Sequence, residues 1–110
     1  MKKTILFSCL LLCQPVFAHD SNKTPELWSS FKKLNKSSEA CHIQSGFELE
    51  QLGVSSLVSN KYGLYGVFRK NRVVVKCIDQ GQRSILWVAV AGYDRDSAEY
   101  LRNIITRKIE

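Results

Sequence analysis

Few side chains in this 110-residue chain could act in catalysis, and they do not form a known catalytic pattern. The chain has two histidines, His19 and His42. A serine hydrolase would use His42 as its base, but no serine stands in the glycine-flanked turn that exposes such a nucleophile. Glu48 and Glu50 could form a carboxylate pair on one face of a strand, although two solvated surface acids are the simpler explanation. We therefore expect that the protein is not an enzyme, with a small hydrolase based on these residues as an alternative.

Metal ligands are equally sparse. Cys41, His42 and Cys77 could supply three soft ligands, but structural zinc sites use paired and closely spaced ligands. The sequence also lacks the His-Glu-x-x-His and Cys-x-x-Cys motifs and a glycine-rich phosphate loop. We predict no metal and no cofactor. In an exported chain, Cys41 and Cys77 are the pair expected to form a disulfide.

Residues 1–18 have the features of a secretory signal peptide. Lys2 and Lys3 precede an apolar stretch that runs from residue 4 to about residue 12. The segment ends with Val16-Phe17-Ala18, which matches the pattern of small residues that signal peptidase cleaves. We predict cleavage after Ala18 and release of a periplasmic or secreted protein.

Cys9 and Cys13 would leave with the signal peptide. Lipidation of Cys9 requires a small residue before it, and Ser8 meets that requirement. However, Phe7 fits poorly one position further back, and Cys13 follows the bulky Leu12, so lipidation is disfavoured. No second apolar run of about 20 residues follows, and the released protein is therefore expected to lack a transmembrane segment.

The net charge is modest. Loss of Lys2 and Lys3 would lower the formal net charge from +6 to +4. This basic excess is compatible with an acidic partner or with anionic lipid. It is too small to argue for nucleic-acid binding, and we expect none.

The N-terminal part of the released chain favours a helix. Residues 19–24 are polar and expected to be flexible, and Thr24-Pro25-Glu26 resembles a helix start. The inward-facing residues that follow at helical spacing are Leu27, Phe31, Leu34 and Cys41. This pattern predicts a helix over 25–41.

Residues 43–60 allow two interpretations. Ser45 with Glu48 resembles a capping box that opens a short helix, while the alternation around Phe47 resembles a strand. A further short strand could follow over 54–58.

The central part of the chain favours β-structure. Residues 62–70, 73–78 and 84–91 are rich in aromatic and β-branched side chains. Short turns separate these runs, which predicts an antiparallel meander. Cys77 shares a face of the second strand with Val73 and Val75. Because Cys41 lies on the predicted helix, that face should be the one that the helices cover.

A second helix is predicted at the C-terminus. Asp94 or Asp96 would cap it, and its buried stripe would consist of Ala98, Leu101, Ile104 and Ile105. The predicted fold is thus a small single α+β domain over 25–110. Its order is helix, short element, three-stranded antiparallel β-meander and helix, with one disulfide.

Both faces of the predicted meander are apolar, although helices on one side should leave the other side polar. The second face would be covered by residues 43–60, by a second copy of the chain or by another protein. The candidate interface residues are Tyr62, Tyr65, Val67, Val74, Trp87 and Val88. A basic rim is predicted at Arg69, Lys70 and Arg72. If the strand over 62–68 were at the sheet edge, glycines such as Gly66 would allow a partner strand to approach it.

These patterns favour a non-enzymatic envelope protein that binds another envelope protein, or itself, as an adaptor. An inhibitor or immunity protein that blocks an envelope hydrolase or toxin is the alternative, and it would act through a protruding loop. Contact of the basic turn with anionic lipid is a weaker hypothesis.

Overall fold

The computed structural model describes residues 23–110. The predicted signal peptide, with Cys9 and Cys13, and most of the segment 19–24 lie outside the described residues. The described part contains five strands and two helices. In chain order they are β1 (Glu26–Leu34), α1 (Ser38–Leu52), β2 (Ser55–Asn60), β3 (Gly63–Phe68), β4 (Asn71–Gln80), β5 (Arg83–Gly92) and α2 (Arg95–Lys108).

All five strands form a single antiparallel sheet in the order β1-β5-β4-β3-β2. The predicted fold class is therefore wrong in its sheet, although the fold is α+β. The predicted meander exists as β3, β4 and β5, but β2 extends it on one side and β1 on the other. The first strand of the described chain thus pairs with the last.

The segment predicted as the first helix is the edge strand β1. It pairs with β5 along its whole length, from Glu26 opposite Gly92 to Leu34 opposite Ser84. The strand has the burial pattern of period two, since Trp28 is half-buried while Leu27 is exposed. The nine paired positions outweigh the weak helix-start signal of Thr24-Pro25, because propensity is overridden by tertiary pairing and packing.

Helix α1 shares only residues 38–41 with the helix predicted over 25–41. Ser37 is its N-cap, and the Ser37 side chain accepts a hydrogen bond from the backbone N–H of Ala40 at 3.2 Å. The helix ends at Gly53, which has the left-handed φ of 94° that glycine adopts without steric cost. Residues 43–60 therefore comprise most of α1 followed by β2. The first part of that segment is helical, but Ser45 lies within α1, so the predicted capping box at Ser45 and Glu48 is wrong.

Helix α2 confirms the prediction for the C-terminus. Asp94 is its N-cap, and the Asp94 carboxylate accepts a hydrogen bond from the backbone N–H of Ser97 at 2.9 Å. Ala98, Leu101 and Ile105 are buried, as the stripe predicted. Ile104 is half-buried.

Both helices cover the same face of the sheet. Helix α1 packs on β3, β4 and β5, and α2 packs on β5 and β1. The strand residues buried beneath them are Leu34, Leu64, Val73, Val75, Leu86, Val88 and Val90. The predicted Cys41–Cys77 disulfide is present and ties α1 to β4, with a Cα–Cα distance of 5.9 Å. As predicted, Cys77 lies on the helix-covered face with Val73 and Val75.

Candidate interaction surface

The second face of the sheet is not covered by any element of residues 23–110. Both helices lie on the other side, and side chains of the edge strand β1 point from this face into solvent. Leu27 is 71% exposed and Phe31 is 70% exposed. We call this surface the open face. Its apolar members are Leu27, Phe31, Val58, Tyr65, Val67, Val74, Ile78, Ile85, Trp87, Ala89 and Ala91.

The strand register makes these side chains neighbours across the whole sheet. Residues directly opposite each other on paired strands project from the same face. One row crosses all five strands and consists of Ser29, Ala89, Val74, Tyr65 and Val58. In the second row Phe31 lies opposite Trp87, and in the third row Ile85 lies opposite Ile78. The apolar residues therefore form one contiguous surface, and the largest contiguous apolar patch of a protein is often an interaction site.

The open face is not flat. A depression of about 200 Å³ lies over β2, β3 and β4 and has Tyr65, Val67 and Val74 in its lining. Arg72 lies in the same lining. This depression could hold an apolar side chain while the guanidinium of Arg72 contacts a neighbouring anion.

The charges on the open face have one sign. Its charged residues are Lys33, Arg72, Lys76 and Arg83, whose cross-strand partners are Ile85, Ala91, Trp87 and Gln80. Among residues 23–110, the acids lie on or next to α1 and α2 or at helix-side strand positions. They are Glu26, Glu39, Glu48, Glu50, Asp79, Asp94, Asp96, Glu99 and Glu110. The open face is thus apolar and cationic, and the acids are segregated from it.

Four of the six predicted interface residues come together on the open face, namely Tyr65, Val67, Val74 and Trp87. Val88 does not belong to this surface, because it projects into the core and is fully buried. Tyr62 is 61% exposed, but it lies in the turn between β2 and β3.

Of the predicted basic rim, Arg72 lies on the open face. Arg69 and Lys70 form the tight turn between β3 and β4, with Arg69 at φ 57°.

Sequence reasoning missed the largest exposed side chains of this surface. Leu27 and Phe31 were assigned to the buried stripe of a helix, whereas they lie on the open side of β1. The alternation of apolar and polar residues could have identified β1 as a strand only if all of its residues that face the helices were apolar. However, Ser30 and Lys32 also face the helices, where the Ser30 hydroxyl hydrogen-bonds that of Thr106. The usual contrast between an apolar inside and a polar outside is therefore lost.

A partner strand cannot add to β3, because β3 lies inside the sheet between β2 and β4. The close approach that Gly66 permits is made by the chain itself. A Cβ atom at Gly66 would collide with the side chain of Val54 and approach the Ser55 carbonyl oxygen to 3.2 Å. The strand-addition hypothesis at this position is therefore wrong, and the edges of the sheet are β1 and β2.

The residues considered for catalysis are separated by the fold. Glu48 and Glu50 lie two positions apart on α1, which places them on different sides of the helix. His42 Nε2 is 2.7 Å from the Ser59 hydroxyl oxygen on the exposed surface of α1 and β2. Within residues 23–110 no carboxylate hydrogen-bonds His42, so the pair lacks the group that orients the base in a catalytic triad.

Within residues 23–110 there is also no cluster of three or more His, Cys, Asp or Glu side chains that could hold a metal ion. Neither α1, with 15 residues, nor α2, with 14, has the length and apolar composition of a membrane-spanning helix.

Comparisons with protein-family models, with curated proteins and with solved structures found no match to this chain.

Proposed function

We propose that this chain is a non-enzymatic protein that binds another protein of the bacterial envelope through the open face. The observation that carries the proposal is the contiguous apolar surface across all five strands, with Leu27 and Phe31 each about 70% exposed. Exposed apolar patches of this extent typically mark interaction sites. The cost of leaving them in water favours any partner that covers them.

Export is supported by two independent features. The first eighteen residues match a secretory signal peptide, and the chain carries a disulfide between α1 and β4. Disulfides persist in oxidising compartments such as the periplasm and are rare in the bacterial cytosol. We propose the periplasm as the location, with secretion as the alternative.

The shape of the molecule favours an adaptor over an inhibitor or immunity protein. An inhibitor of the kind considered above would insert a protruding loop into a hydrolase or toxin. The sequence offers two candidate loops for that role, residues 43–60, which form most of α1 and all of β2, and the turn over 69–72. The former is packed secondary structure and the latter is a tight hairpin turn, whereas the open face is broad.

Photo-crosslinking in the organism that encodes the chain would test this proposal. The photoreactive amino acid p-benzoylphenylalanine would replace Phe31 or Trp87 on the open face, in the full chain with its own N-terminal segment. The matched control replaces Tyr100 on α2, which is 66% exposed and therefore as accessible as Phe31. We expect a discrete protein adduct from both open-face positions and none from the control. Absence of an adduct at the open face, or the same adducts from Tyr100, would refute the proposal.

A further inference from the structure

We propose that the partner on the open face is a different protein whose binding surface combines apolar side chains with carboxylates, and that a second copy of this chain does not fill that role. This inference rests on the proposed function and specifies the chemistry of the partner. It is carried by the segregation of charge, because four cations and no acid project from the open face.

The size of the open face suits a specific protein complex. Strands of six to ten residues, spaced about 4.8 Å apart, give five strands a projected area of roughly 600 Å². A standard interface buries about 800 Å² on each partner. The open face with its flanking turns therefore provides nearly one full side of such an interface.

Self-association through this face is opposed by charge. In a symmetric dimer of stacked sheets, both copies present the same patch, so the interface would contain the four cations of each copy and no acid from either open face. Lys33, Arg72, Lys76 and Arg83 would be desolvated together, with no carboxylate from either copy to pair with them. Like charges brought together in an interface are unfavourable, which works against the gain from burying Phe31 and Trp87.

The positions of the cations favour an acidic protein over a lipid surface. Arg72 and Lys76 lie on β4, the central strand of the sheet, and Lys76 is directly opposite Trp87. Lys76 is therefore inside the apolar surface, while Arg72 lies at its edge, next to the turn between β3 and β4. Insertion of this face into acyl chains would bury the Lys76 ammonium without a partner, which is costly. A protein can instead place carboxylates opposite Arg72 and Lys76 and an apolar side chain in the depression beside Arg72.

The test uses the crosslinked adduct formed from position 31 and a pair of matched double variants. R72Q/K76Q removes two positive charges from the open face. R107Q/K108Q removes two from exposed positions at the end of α2. Each exposed charge pair affects affinity by a modest factor, so we expect the adduct yield of R72Q/K76Q to fall by at least about threefold. The yield of R107Q/K108Q should be unchanged, and 0.5 M NaCl during crosslinking should weaken the adduct of the parent chain.

The possible outcomes separate this inference from the proposed function. An adduct that is insensitive to both charge variants and to salt would overturn the acidic partner but leave protein binding in place. An adduct with the mass of two copies would overturn the inference in favour of a homodimer. Flotation of the chain with vesicles of phosphatidylglycerol and phosphatidylethanolamine, lost in R72Q/K76Q, would overturn it in favour of anionic lipid. No protein adduct from positions 31 and 87 would refute both proposals.

Discussion

Reduction of the Cys41–Cys77 disulfide should lower the free energy of unfolding by about 4 kcal/mol. The bridge joins residues 36 positions apart. In the chain-entropy model, closing a loop of that length lowers the entropy of the unfolded chain by about 13 cal/mol/K, which corresponds to about 4 kcal/mol at 25 °C. The loop contains most of α1, all of β2 and β3 and the first part of β4. Since small domains are stable by only about 5–15 kcal/mol, reduction should leave the fold marginal.

Guanidinium unfolding followed by the fluorescence of Trp28 and Trp87 would measure this difference, with and without a reducing agent. The matched control is Cys41→Ala with Cys77→Ala, in which the reducing agent should change nothing. Reduction of the parent chain keeps both sulfur atoms in place, so the comparison isolates the crosslink from packing. A loss below about 1.5 kcal/mol in the parent would refute the reasoning, because the unfolded chain would then not be constrained as the model requires.

Three further predictions concern packing and helix capping, and all can be checked by urea unfolding. Phe31→Ser should cost less than about 1.5 kcal/mol because the ring is 70% exposed, whereas Leu86→Ala should cost about 2–5 kcal/mol because Leu86 is fully buried. Equal losses would contradict the assignment of the two faces. Gly66→Val should destabilise by about 1–3 kcal/mol through its collision with Val54, and an unchanged midpoint would show that β2 can move away. Asp94→Ala should cost about 1 kcal/mol through loss of the α2 N-cap, while Asp94→Asn, as a capping control, should retain most of it.

The elements predicted correctly are those with strong local signals. The β-branched runs of β3, β4 and β5 are separated by short turns, so their order and antiparallel pairing follow from the chain itself. Helix α2 has both a capping aspartate and a continuous apolar stripe that ends at Ile109, which is fully buried. The disulfide was predictable because only two cysteines follow the predicted signal peptide.

The elements predicted wrongly are those whose pattern is ambiguous at short range. Leu27, Phe31 and Leu34 satisfy helical spacing, and a Thr-Pro-Glu start precedes them. Their strand conformation depends on pairing with β5, which lies more than fifty residues further along the chain. No local feature specifies that pairing. Because apolar residues of β1 face solvent, the strand also lacks the usual alternation of buried apolar and exposed polar residues.

The sequence alone determined the disulfide pair, the three central strands and the last helix, because each depends on neighbouring residues or on a simple count, and it predicts an export signal over residues 1–18. Only the tertiary structure decided that β1 forms one edge of the sheet, that residues 43–60 form most of α1 and the strand β2, and that the second face stays open within residues 23–110. It also showed that Phe31 and Trp87 are neighbours, and that the open face carries cations but no acid. These properties depend on contacts between residues far apart in the chain, which periodicity and composition do not encode.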